Sequence, residues 1–444
     1  MMKRPQLALL AALMVMGVGC LRATAHDQIP GAPQSGPIAI TGATVHRVDG
    51  KPIPNGTVVF ENGKLTAVGK QVELPQDCET IDATGKHLYP GLIESISDLG
   101  LVEIRSVRGS IDTDEIGQEN PNLRPWVAVN PDSELIPVAR SGGVLLACIG
   151  SGSGNIRSQT AVIQLDGWSY RDMLLRPDTG MSVSWRGYDS RQSDPKERAQ
   201  ERDRRLNELA ERFDAARRYE KAREANPEDT PTDLRLEAML PVLQGKSPMI
   251  IQADRRREIE AAVSFCVQRK IRPIIYGGYD APQCAALLKQ FDVPVIVHST
   301  YRLPLRRDDP YDHPYTLPNR LREAGIRFAI GGPGSGSPGG GSAARNLPYH
   351  AATAVAYGLP KKAAVEAITL APAEILGVAD RVGSLTVGKD ATLIVVDGDV
   401  LLTESKVTDA FIGGARVDLG NRHQTLADKY RTKYQRLGLE KPKP

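Results

Sequence analysis

The chain has 444 residues, 41% hydrophobic and 25% charged, with 42 Gly and 32 Pro, a balance that excludes a disordered or fibrous protein. Lys and Arg number 56 against 53 Asp and Glu, and three of the cations, Lys3, Arg4 and Arg22, fall at the extreme N-terminus. The remainder is neutral, which removes the general attraction that draws basic proteins to nucleic acid or anionic membranes.

Lys3 and Arg4 precede an apolar run over residues 7–18, and Ala23, Thr24 and Ala25 follow as an A-x-A cleavage pattern. That order is a secretory signal peptide, assigned to residues 1–25. The run is shorter than the roughly 20 residues that span a bilayer, so no transmembrane span is expected in the mature chain. The protein is expected to be exported, periplasmic or secreted, with lipid attachment through Cys20 left open. Cys78, Cys148, Cys266 and Cys284 form no CxxC pair. Cys266 and Cys284 take apolar helical positions and are expected to be buried thiols, though disulfide pairing stays open.

Residues 38–87 are rich in β-branched residues and turns. Strands are expected over 40–45 and 57–60, with Glu61, Asn62, Gly63 and Lys64 as a hairpin turn. Residues 381–420 mirror this pattern, so one small β-sandwich is expected from both chain ends. Between them, over 88–380, short apolar strands alternate with amphipathic helices, and residues 160–185 are ambiguous. Helical crossovers imply parallel pairing, and the strand number favours a closed (β/α)8, TIM-like barrel over an open sheet. A charged insertion spans 186–244. Its part 186–224 holds 12 basic and 10 acidic residues, with Leu206, Leu209, Phe213 and Ala216 as a narrow stripe, read as a solvated helix across the barrel. Residues 421–444 give a last helix, expected to pack on the outside, and a tail.

Leu88-Tyr89-Pro90-Gly91-Leu92-Ile93-Glu94 resembles the P-G-L-I-D entry to the barrel of the amidohydrolase superfamily. Gly383-Ser384-Leu385, Gly388-Lys389-Asp390-Ala391 and Asp397-Gly398 are similar to its return into the sandwich. The stretches 346–352 and 367–377 look like its final helices. The likeness covers about residues 38–423 and points to the imidazolonepropionase-like bacterial members. It implies hydrolysis of non-peptide C–N bonds, amide or cyclic amide, by a divalent metal such as zinc. The metal would sit at the C-terminal mouth, held first by H-x-H at the end of the first barrel strand.

The ligand positions depart from that pattern. Ile96 and Asp98 stand where H-x-H is implied, Gln252 and Tyr276 at middle-strand ends, and Gly331 where an aspartate would close the last strand. A transition-metal site takes about four good donors, so no cofactor is expected. His298, with Asp98, Asp308, Asp309, Asp312 and His313, is the one set that could form a displaced site. Asp98, Gln252, Tyr276, His298, Arg302 and Arg345 form the candidate pocket for a small-molecule ligand. Arg302 and Arg345 either grip a carboxylate there or bridge to Asp308, Asp309 or Glu374. The Gly-rich stretches 150–155 and 331–342 lack a phosphate-loop order. Two readings stay open, a hydrolase with an unconventional site and a metal-free ligand-binding or structural pseudoenzyme. Substrate and oligomeric state are not legible.

Overall fold

The computed structural model describes residues 29–113, 115–150, 152–185, 194–334 and 340–439. The expected signal peptide, including Cys20, lies outside these residues, as do 335–339 of the second Gly-rich stretch.

Two sheets of eight strands carry the fold. The first holds β1 (Ile38–Val45), β2 (Ile53–Glu61), β3 (Lys64–Gly69), β4 (Glu79–Asp82), β5 (His87–Pro90), β14 (Leu393–Val396), β15 (Val407–Ile412) and β16 (Ala415–Arg416). Asn62 and Gly63 turn β2 into β3 with φ of 51° and 76°, the left-handed pair that matches strand twist. The two chain ends meet where β14 pairs antiparallel with β5, Leu393 opposite Pro90. Phe60 of β2 meets Phe411 of β15 edge-on at 5.0 Å, so the core of this sheet is shared between residues far apart in sequence.

The second sheet runs in chain order: β6 (Leu92–Ser97), β7 (Val144–Ile149), β8 (Ile156–Gln164), β9 (Leu174–Ser184), β10 (Met249–Ala253), β11 (Pro273–Gly277), β12 (Val295–Val297) and β13 (Phe328–Ile330). It curls into a nearly closed barrel. Ile93, Ile250, Ile274, Ile296 and Ala329 fill the interior, while Val263, Cys266 and Leu288 belong to the cluster under the outer helices.

The all-parallel expectation needs correction. β8 is antiparallel to both β7 and β9, and it resolves the ambiguous 160–185 region as parts of two strands. The reason is connection length. A parallel return takes a dozen or more residues, but β7 and β8 are joined by 150–155 and β8 and β9 by 165–173, which holds only the one-turn helix Tyr170–Met173. The first Gly-rich stretch is thus a tight link between antiparallel strands.

Closure between β13 and β6 uses neither strand's partner directly. Ile330 N–H donates to the Ala367 carbonyl at 2.8 Å and Ile93 N–H to the Ile368 carbonyl at 2.9 Å. The segment around 367–368 therefore lies along the seam and satisfies donors on both edges.

In the insertion, helix Pro195–Ala225 starts at an Asp194 cap and buries Leu209, Phe213, Ala216 and Tyr219; Leu206 is only half-buried. Phe213 meets Phe265 of the outer helix Arg256–Gln268 edge-on at 5.7 Å. The last helix, Arg422–Arg436, does not pack as expected: none of its residues is buried. Its apolar side chains, spaced for one face, stay exposed, Tyr430 and Tyr434 among them. All four described cysteines are free thiols, with Cys148, Cys266 and Cys284 buried.

Candidate functional site

Strand alternation builds the barrel mouth. The interior side chains Ile250, Ile274, Ile296 and Ala329 are each followed two residues later by Gln252, Tyr276, His298 and Gly331, which therefore face the same way. Gln252 and Tyr276 are register partners, and the Tyr276 and His298 rings meet edge-on at 5.3 Å. Ile96 is buried within the interior cluster and fills the first expected ligand position with hydrocarbon.

Asp98 has no exposed side-chain surface. It accepts from Arg105 at 2.8 Å and from the Gly341 N–H at 2.5 Å, a cation and a backbone dipole supplied by the protein itself. Asp254, at the end of β10, pairs with Arg302 at 3.1 Å.

Glu94, on β6, is the residue the sequence reading passed over as a site. Its Oε1 accepts from Gly332 N–H at 2.8 Å and its Oε2 is buried with no partner among the described residues. Burial pushes its carboxyl up to about 8, against the pull of the Gly332, Ile96 and Ser95 N–H groups. The signal was present: a carboxylate in a strand whose six residues are all buried. The Ser95 hydroxyl and the Tyr276 hydroxyl are buried orphans as well, and burial raises the Tyr276 phenol far above its usual range. Residues 331–334 lie over this group. A Cβ on Gly332 would come within 2.7 Å of Glu94 Oε2, and one on Gly334, where φ is 70°, within 1.7 Å of the Tyr276 oxygen. Only glycine lets that backbone approach so closely. Cys148 offers no nucleophile nearby, since burial pushes its thiol to about 12.

Two sequence expectations are corrected by these contacts. Arg302 bridges to Asp254 rather than to Asp308, Asp309 or Glu374, and its guanidinium lies 5.3 Å from the Tyr279 ring centre. Arg306 is the residue that holds the long loop, reaching Asp280 at 2.6 Å and Asp309 at 3.0 Å. Arg345 is not at the mouth: it is exposed, and its backbone lies against Gly142, which precedes β7 at the other end of the barrel.

The displaced metal set is dispersed. Asp309 accepts from Tyr279 and Arg306, and His313 stacks on Tyr279 at 4.1 Å with its Nε2 toward the Tyr279 carbonyl. Among the described residues no three His, Cys, Asp or Glu side chains converge as a metal site would require. The divalent metal implied by the resemblance meets a poor donor set at the mouth: an isoleucine, an amide, a phenol and a glycine beside the imidazole of His298, with Asp98 and Asp254 already paired to arginines and Glu94 buried on the Gly332 N–H.

His350 packs near the mouth, its Nδ1 3.1 Å from the Thr300 hydroxyl. Burial, with help from His298, lowers it to about 4; burial and His87 do the same to His46 in the first sheet. Both rings are held neutral. Between pH 6.5 and about 4 these two imidazoles bind fewer protons in the folded chain than in the unfolded one, so their own contribution to stability falls as pH drops across that window. Melting temperatures of wild type and of His46→Asn and His350→Asn, taken at about pH 7, 5.5 and 4, test this: the variants should lose less between pH 7 and 4, and an equal loss contradicts it.

Comparisons with known proteins agree with the architecture. A model described as Amidohydrolase family matches residues 315–417. The chain is 25% identical over 401 residues to Amidohydrolase tasK of Hapsidospora irregularis, across 81% of this chain but 39% of that protein. It therefore spans about two fifths of that relative's length. The crystal structure of an amidohydrolase from Thermotoga maritima MSB8 superposes with TM-score 0.75 and 27% identity, covering 86% of this chain and 99% of that one. A beta-aspartyl dipeptidase from Fervidobacterium islandicum-AW-1, at 17% identity and TM-score 0.51 over 86% and 96% of the two chains, shares the fold.

Proposed function

We propose that this chain, similar to amidohydrolases in sequence and fold and so to proteins that hydrolyse C–N bonds, has lost the metal-assisted form of that reaction. In this reading the protein is an exported, metal-free descendant that acts by binding a ligand or by a structural role. One observation carries it: two carboxylates at the mouth are committed to the protein's own cations, Asp98 to Arg105 with the Gly341 N–H and Asp254 to Arg302, while burial favours the uncharged form of Glu94. A cation entering there would have to displace guanidinium groups, and Ile96 offers it no lone pair. Export rests on the N-terminal pattern, and cell fractionation tests it.

Elemental analysis of protein purified without chelators should find zinc, iron and manganese well below one per chain. Amide and cyclic-amide substrates should be turned over no faster after incubation with those metals. Stoichiometric metal overturns the proposal.

A second reading has its own support. A buried carboxyl poised near neutrality beside an unpartnered phenol is equipped for proton transfer without a metal. If hydrolysis of a C–N bond runs in the metal-free protein, Glu94→Gln should abolish it while leaving the fold intact.

A further inference from the structure

The end of the barrel opposite the mouth holds a cavity of about 470 Å³. It opens where the strands begin: Pro248 precedes β10, Pro273 starts β11, Pro294 precedes β12 and Arg327 precedes β13. Its volume lies within the range of small-molecule pockets, about 300–1,000 Å³. Ile274, Ile375 and Leu376 form an apolar floor continuous with the barrel's interior packing.

The rim is cationic. Arg327 is neutralised by Asp292 at 2.8 Å. Arg176 and Arg272 are positioned by the carbonyls of Gly377 and Gly245, which leave their charge uncompensated. The ammonium groups of Lys246 and Lys270 make no ion pair or hydrogen bond among the described residues. Against these four stand Asp178 and Glu374.

Backbone conformation singles out Lys270. The turns leading into β10, β11, β12 and β13 each contain a left-handed residue, at Gly245 (φ 71°), Lys270 (φ 58°), Asp292 (φ 50°) and Gly325 (φ 70°). Glycine takes this conformation without strain and aspartate tolerates it, but a lysine there is disfavoured. The long cationic side chain is thus kept where the local backbone would prefer none.

We infer that this cavity is a second binding site, for a small organic anion with an apolar body. The anionic group would lie among Lys246, Lys270, Arg176 and Arg272, and the apolar body on Ile274 and Leu376. This site is independent of the chemistry at the mouth and of whether the chain binds metal.

Isothermal titration of the full chain with 3-phenyllactate tests the site, with benzyl alcohol as the analogue lacking the carboxylate. The first should bind with a Kd below about 1 mM and the second not measurably. Lys270→Gly should keep or raise the melting temperature, because glycine suits that turn, yet weaken 3-phenyllactate about tenfold. Lys246→Gln should weaken it as well. No binding at about 10 mM, or equal affinity in wild type and both lysine variants, overturns the site.

Discussion

Glu94→Gln should make the protein more stable, and the gain should depend on pH. The Glu94 carboxyl is fully buried on β6, with one oxygen on the Gly332 N–H and the other unpartnered. Burial raises it from the ordinary 4.5 to about 8. A raised carboxyl favours the folded state relative to the unfolded one only in its protonated form. That advantage is complete below pH 4.5 and is lost as pH climbs through about 8. Glutamine keeps the same shape, accepts the same Gly332 hydrogen bond and never ionises. The variant should match wild type near pH 4.5 and exceed it by about 3–5 kcal/mol near pH 9, on the order of 1.4 kcal/mol for each unit of displacement. Denaturant melts at the two pH values decide the matter. A constant difference between them would mean that Glu94 is not held in its acid form.

Asp166→Ala should cost about 3–5 kcal/mol at neutral pH. Asp166 follows β8 and pairs with Arg140 at 2.5 Å, with side-chain exposures of only 9% and 3%. Arg140 also donates to the Leu165 carbonyl at 3.3 Å, and the second Asp166 oxygen accepts from Gly31 N–H at 3.0 Å. The pair thereby pins the N-terminal approach to the barrel. Burial outweighs Arg140 and leaves the Asp166 carboxyl above its usual range, so these charges were costly to desolvate. Removing the aspartate alone takes away the carboxylate that faces the buried guanidinium. Replacing both partners, as Arg140→Met with Asp166→Leu, should recover most of the loss, since no uncompensated charge remains. Equal destabilisation in the single and double variants would assign the effect to packing instead.

What the sequence disclosed divides along the range of the interaction. The Asn62–Gly63 hairpin, the interior alternation through Ile274 and Tyr276, and the apolar face of helix Arg256–Gln268 are set by neighbours within a few residues, and periodicity reports them directly. The amidohydrolase likeness at residues 88–94 carried the barrel and its sandwich together. Strand direction at β8 was hidden because an apolar run reads the same whichever way its neighbours point. Partners were hidden for a related reason. Arg302 finds Asp254 across 48 residues and Gly332 finds Glu94 across 238, and nothing local to either arginine or glycine names its mate. Arg345 was misplaced because the helical turn Gly340–Asn346 carries the chain from Asp98 at the mouth to Gly142 at the far end, a path no spacing rule reveals.

The seam at 367–368 has a consequence for synthesis. β6 emerges from the ribosome early and β13 much later, but the carbonyls that tie Ile93 and Ile330 are made later still. Until then the nascent barrel is an incomplete sheet with two uncovered borders, and β5 likewise waits for β14. Such borders recruit foreign strands. Chains halted before residue 367 should therefore aggregate or engage chaperones, whereas those released beyond residue 412 can bury both borders within their own molecule.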